Sequence, residues 1–231
     1  MQTIATAVIL FDQIDNDLLP DCLLSLPKWC KPLIFNAKEG SEERIKEIRN
    51  DEHLQLYEYT YTGVLNFAKA RNLAKFYAET SWIISIDADE RLDYNQHKYI
   101  YQLLTEADDD IGGFMVTQWS FCSFIRDTEH PERNLRLAVP TVRIFRNLPP
   151  FTWRFEIHEV IEPSIIESGY TILDTKINFL HEGYALSKER MKQKLERNIR
   201  TILNYPHLYE TKRYKEYLIN SCVMLKHLGG I

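Results

Sequence analysis

No glycine-rich loop follows the first apolar segment of this chain, and glycine is scarce throughout, with 8 residues in 231. The turn there reads "FDQIDND", with neither glycine nor lysine, so the phosphate cradle of a nucleotidyltransferase is missing. Cysteine is equally sparse: Cys22, Cys30, Cys122 and Cys222 form no C-x-x-C pair and no metal-site spacing, and read as reduced, buried thiols. No apolar run is long enough to span a bilayer. The N-terminal run Ile4–Phe11 is short and lacks a basic flank, which reads poorly as a signal peptide. A soluble, cytoplasmic protein is the expectation. A basic surplus is also lacking, since the net charge is −5, so no global field recruits nucleic acid. Internal repeats, low-complexity tracts and a clear linker are absent as well.

What is present is a rhythm. "TIATAVILF" is continuously apolar and β-branched, as a strand buried on both faces would be. "DNDLLPDCLLSL" suggests a helix, "KPLIFN" a second strand, and "SEERIKEIRN" a helix capped by Ser41. "HLQLYEY" is a third strand. "NFAKARNLAKFYAET" opens on Asn66 as an N-cap and sets Phe67, Ala70, Ala74 and Tyr77 along one helical face. "SWIISID" is the fourth strand. Such alternation predicts an α/β fold with a mostly parallel, doubly wound, Rossmann-like sheet.

Beyond Asp93 the pattern changes. "NQHKYIYQLLTEA" is helical, while "GGFMVTQWSFCSF" and "LAVPTVRIFRN" read as antiparallel strands joined by a mobile polar loop, "IRDTEHPERN". "FTWRFEIHEVIEP" and "YTILDTKINFLHEGY" supply two more extended segments. Two amphipathic helices with basic outer faces close the chain. The expected division is a domain over 1–185, split into halves 1–93 and 94–185, followed by C-terminal helices over 186–231 that pack on the sheet or mediate homo-oligomerisation.

The fourth strand runs straight into Asp87, Asp89 and Glu90. Unpaired buried carboxylates are costly, so something positive belongs beside them. In a doubly wound sheet ligands sit beyond the carboxyl ends of the strands. Two carboxylates at that place suit a hard divalent cation, Mg²⁺ or Mn²⁺, completed by a diphosphate.

The segment "NFAKARNLAKFYAETSWIISIDADERL" resembles the signature of family 2 glycosyltransferases of the GT-A fold, an F-x-x-A-R-N helix, a strand and a D-A-D-E turn. Phe67, Ala70, Arg71 and Asn72 match, as do Asp87, Ala88, Asp89 and Glu90. "RIFRN" at Arg143–Asn147, "FEIHEVI" at Phe155–Ile161 and "FLHEGY" at Phe179–Tyr184 are similar to later motifs of the branch that holds lipopolysaccharide-core and peptide glycosyltransferases. The resemblance spans Thr3 to Arg197 in the right order. It implies a metal-dependent, inverting transfer of sugar from a nucleotide-diphospho-sugar, a UDP-sugar above all, to a glycan, lipid-linked or peptide acceptor. In that reading Asp87 supports the donor and metal, Asp89 ligates the metal and His181 completes its shell. Arg71 reaches the base or phosphates. Glu159 is the general base, with His158 orienting the acceptor or donor. Arg143 and Arg146, three apart on a strand, face opposite sides, so one at most enters the cleft, and Arg143 is the donor-binding candidate.

Two positions depart from the pattern. Asp12 and Gln13 stand where the family has a Lys-Asn-Glu-like turn. Asn36, or Glu39, stands where an Asp grips the base, with Gly40-Ser41 retained. An amide still reads a pyrimidine edge but carries no charge. The competing classes are a nucleotidyltransferase, disfavoured by the missing glycine loop, and a catalytically silent nucleotide- or sugar-binding module.

Overall fold

A computed structural model describes residues 2–10, 18–35, 55–57, 66–121, 136–181 and 188–229. Its strands are β1 Ala5–Leu10, β2 Cys30–Phe35, β3 Gln55–Tyr57, β4 Trp82–Asp87, β5 Glu90–Leu92, β6 Ile111–Phe121, β7 Arg136–Arg146 and β8 Thr171–His181. They form one 8-stranded sheet in the order β3-β2-β1-β4-β7-β6-β8-β5. β3, β2, β1 and β4 pair in parallel, as the strand–helix alternation predicts. β4 then pairs antiparallel with β7, and β7 with β6. The fold is α/β with a mostly parallel, doubly wound half, as expected.

The helices are α1 Leu19–Leu24, α2 Phe67–Phe76, α3 His97–Glu106, α4 Glu162–Glu167, α5 Lys188–Asn204, α6 Pro206–Tyr209 and α7 Lys212–His227. Strand alternation sorts the core into two layers. Ala5, Ala7 and Ile9 of β1 and Ile84 and Ile86 of β4 bury against Leu19 and Leu23 of α1 and Ile100 and Leu104 of α3. Val8 and Ile83 face the other way, onto Ala68, Ala70 and Ala74 of α2 and Ile165 of α4. Asn66 caps α2 by accepting from the Lys69 N–H at 2.7 Å. The small alanines let α2 lie close to the sheet, which brings Arg71 over the strand end.

Several expectations need correction. Residues 151–163 do not form an extended strand: Arg154 and Val160 make one isolated bridge, and α4 follows. Pro near the start of α4 suits a first helical turn, and Ile161 and Ile165 bury on α2's layer of the core. Phe67 does not join Ala70 and Ala74. It packs with Ile157, Ile202, Leu208 and Tyr214, tying α2 to the C-terminal helices. Cys22 and Cys30 are buried thiols, but Cys222 is exposed. The strand β5 and the single-turn α6 were not expected. The helix beginning at Ser41 and the 125–134 loop lie outside the described residues. Among these, no helix is long and apolar enough to cross a membrane.

Candidate active site

β4 ends beside β1, with Asp87 opposite Leu10. Strand order reverses between these two strands, because β2 and β3 lie on one side of β1 and β4 on the other; ligand clefts form at the carboxyl ends of strands at such a point. Period-two alternation puts Ile83, Ser85 and Asp87 on α2's side of the strand. Arg71 of α2 is buried there. Its Nη1 donates to Ser85 Oγ at 2.8 Å, its Nη2 to Asp87 Oδ1 at 2.6 Å, and its Nε to Glu159 Oε1 at 2.5 Å. The guanidinium also lies over the Trp153 ring, 5.1 Å from its centroid. Burial works to raise the Asp87 pKa, but Arg71 and Arg143 offset it and hold the carboxyl below its ordinary value.

Arg143 of β7 reaches the same turn. Its Nη2 donates to Glu90 Oε1 at 2.8 Å and lies 3.3 Å from Asp87 Oδ2. Arg146 faces the opposite side, donating to the carbonyls of Ile111, Ala107 and Asp108, as their spacing on the strand requires. Glu90 is fully buried and organises the turn. Its Oε2 accepts the Asp87 N–H at 2.9 Å, and its Oε1 also accepts from Gln118 Nε2 at 2.6 Å. Burial pushes the Glu90 pKa up to about 7; Arg143 opposes this and the Asp87 charge adds to it.

Asp89, only 5% exposed, has partners of its own. Lys194 Nζ of α5 donates to its Oδ2 at 2.7 Å, and His181 Nε2 lies 3.3 Å from the same oxygen. His181 Nδ1 meets Ser120 Oγ at 2.9 Å. Burial would raise the Asp89 pKa, but the hydrogen bond and charge of His181, with Lys194, depress it well below the carboxylate range. Burial likewise works against a charged His181, and its bond to Asp89 more than offsets that, so its pKa is raised.

Glu159 arrives on an irregular segment pinned by Asn72. The Asn72 side chain accepts from the Trp153 N–H at 2.8 Å and donates to the Trp153 carbonyl at 3.0 Å. Phe155 and His158 are left-handed, with φ of 69° and 53°. His158 does not join the carboxylate cluster. Its ring packs against Tyr217 and Tyr214, with centroids 4.4 and 6.2 Å away, and its buried Nε2 has no hydrogen-bond partner among the described residues. Burial accordingly lowers its pKa.

Of the residues singled out from the sequence, Arg71, Asp87, Asp89, Arg143, Glu159 and His181 therefore meet at one strand end. Asp12 and Asn36 lie outside the described residues. Ser85, Gln118, Ser120 and Lys194 were not anticipated as members of the network, and Glu90 was expected at the strand end beside a positive partner but was given no role of its own. Glu90 is visible in the D-A-D-E turn, whereas Lys194 resembles every other lysine on a solvated helix face.

Among the described residues no group of three or more His, Cys, Asp or Glu side chains is arranged to hold a metal by itself. Asp89 and His181 nevertheless fit two positions of a divalent shell. Ser120 on Nδ1 fixes the ring with Nε2 turned toward the Asp89 carboxylate, the second-layer arrangement that ligating histidines use.

No family model matches the chain. It is similar to a TPR repeat-containing protein of Synechococcus elongatus, 26% identical over 209 residues, covering 85% of this chain and 48% of that protein. The chain thus spans about half the length of this curated relative. The fold is shared with solved glycosyltransferase structures. One is S. aureus TarS 1–349 in complex with UDP, with TM-score 0.53 and 12% identity over 87% of this chain and 66% of that one. Another is the mannosyltransferase PcManGT from Pyrobaculum calidifontis in complex with GDP-Man and Mn²⁺, with TM-score 0.53 and 11% identity over 99% and 76% of the chains.

Proposed function

We propose that this chain is an inverting glycosyltransferase of family 2, on the branch that resembles lipopolysaccharide-core and peptide glycosyltransferases. It would take a sugar, a hexose type, from a nucleotide-diphospho-sugar and pass it to a glycan, lipid-linked or peptide hydroxyl. The observation that carries this reading is the charged cluster at the end of β4, where one guanidinium, Arg71, joins Asp87 to Glu159. Donor-side and acceptor-side carboxylates are thereby held in register at a place where α/β sheets bind ligands.

In this reading the donor's nucleotide lies over the carboxyl ends of β1, β2 and β4, with Asp12, Asn36, Asp87 and Arg143 on the donor side. UDP is the first nucleotide to try. Asp89 and His181 would hold Mn²⁺ or Mg²⁺, with Asp87 supporting them. When bound, such an ion neutralises the departing nucleoside diphosphate. Glu159 accepts the acceptor hydroxyl proton on its second carboxylate oxygen while Arg71 holds the first. The acceptor oxygen bonds to the anomeric carbon as the bond to the diphosphate breaks, and the diphosphate leaves with that electron pair. His158 acts as a positioning residue, wedged between two tyrosines so that the neighbouring carboxylate faces the cleft. The thiols of Cys22 and Cys222, neither of them in a disulfide, support a cytoplasmic setting. The exposed Leu203, Ile219 and Val223 on α5 and α7 support self-association through the C-terminal helices.

The test is thermal melting of the protein with UDP, GDP and dTDP, each with and without Mn²⁺, followed by a donor-hydrolysis assay with the responding nucleotide's sugars. A ligand at about 100 times its dissociation constant adds about 2.7 kcal/mol, an easily read shift. A metal-dependent shift with one nucleotide supports the reading. No shift with any nucleotide defeats it.

A further inference from the structure

Lys194 and Asp89 are 105 positions apart in the sequence, yet Lys194 Nζ is 2.7 Å from Asp89 Oδ2. The lysine side chain is 15% exposed and the aspartate 5%. His181 Nε2 approaches the same oxygen at 3.3 Å. An ammonium group thus holds the same carboxylate oxygen that faces the imidazole, the oxygen a divalent ion shared by these two side chains would use. Both cannot be there, because two cations sharing one carboxylate oxygen repel strongly away from bulk water. Lys194 is equipped to yield. Its neighbours Met191 and Leu195 are buried with Leu225 of α7, which anchors α5, while the four-carbon stem can swing without moving the helix.

Resting on the reading of Asp89 and His181 as metal ligands, we propose that Lys194 is a tethered competitor for the divalent ion. Its ammonium neutralises Asp89 until an ion is taken up, and is then displaced from the carboxylate. The C-terminal helix α5 therefore sets how tightly the site loads metal. An ion must break a charge-assisted hydrogen bond to enter, and the chain gives up metal affinity in exchange for a buried aspartate that is never left uncompensated.

The test is calorimetric titration of Mn²⁺ alone into the full chain and into the Lys194→Ala, Lys194→Met, Lys194→Arg and Asp89→Asn variants. Lys194→Ala and Lys194→Met should bind Mn²⁺ about tenfold more tightly than the native chain, the ratio expected when a charge-assisted bond no longer has to be broken. Lys194→Arg should show no such gain, and Asp89→Asn should lose binding. Melting gives an independent readout. Without metal, Lys194→Met should melt below the native chain, and saturating Mn²⁺ should close that gap. Lys194→Met keeps the stem, so it serves if the alanine variant does not fold. Equal or weaker Mn²⁺ binding by both neutral variants overturns the competition and leaves the metal site standing. No Mn²⁺ binding by any of the proteins overturns both.

Discussion

Arg71 and Glu159 lie 88 positions apart and meet through a 2.5 Å hydrogen bond from Nε to Oε1. The same guanidinium holds Asp87, so the donor-side aspartate and the proposed base share one rigid fork. Lysine offers no such planar fork. Arg71→Met should therefore destabilise the protein by about 3 kcal/mol, toward the low end for a broken buried pair because the Asp87 side chain is 29% exposed. Arg71→Lys should recover part of the stability without recovering donor affinity. A denaturation midpoint for Arg71→Met equal to the native value would show that the fork carries no stability.

Glu159→Gln keeps an acceptor for Arg71 but cannot take a proton. Turnover should fall by about 10²–10⁴-fold while nucleotide affinity stays within error. Normal turnover in this variant would remove Glu159 from the role of base. Loss of affinity together with turnover would mean that the carboxylate serves binding.

The parallel half of the sheet, the Asn66 cap and the placement of Asp87 and Asp89 could all be read from residue patterns. Each rests on local periodicity or on a strand ending in charge. The three-residue β5 has no such signature, since it exists through pairing with β8. The segment before α4 contains aromatic and β-branched residues that favour strands, and tertiary packing of Ile161 and Ile165 overrides that preference. Lys194 was invisible for a different reason. Charge on an amphipathic helix predicts only a wet face, and its partner lies on a distant strand end.

Gly112 tests the packing beside α4, away from the carboxylates. A Cβ there would sit 2.6 Å from Tyr170 Cβ and 2.7 Å from Ile165 Cγ2. Gly112→Ala should cost about 1–3 kcal/mol through overpacking and leave nucleotide affinity unchanged once folded. An unaltered melting temperature would mean that β6 and α4 can separate freely.

His158 gives one pH dependence that a single substitution isolates. Burial disfavours its charged form and lowers its folded pKa below the ordinary value of 6.5. A depressed pKa contributes stability that is present above pH 6.5 and lost as pH falls through the folded value. Asn tolerates the left-handed backbone at this position, so His158→Asn removes the titrating group without new backbone strain. The native protein should lose stability between neutral and mildly acidic pH faster than His158→Asn does. Parallel stability curves for the two proteins would show that the imidazole is not held neutral.

Asn72 separates positioning from binding. Its amide makes two hydrogen bonds to the Trp153 backbone and none to the carboxylates. Asn72→Ala strips both partners, which should cost about 1–3 kcal/mol if they are left unsatisfied. The segment from Trp153 to Glu159 then loses its staple, while Asp87 stays tied to Arg71 and Arg143. Turnover should fall with donor affinity preserved. Asn72→Asp, which keeps the acceptor for the Trp153 N–H and loses the donor, should fall between the two. A variant that loses donor affinity and turnover in equal measure would show that the staple supports the whole cleft rather than the base alone.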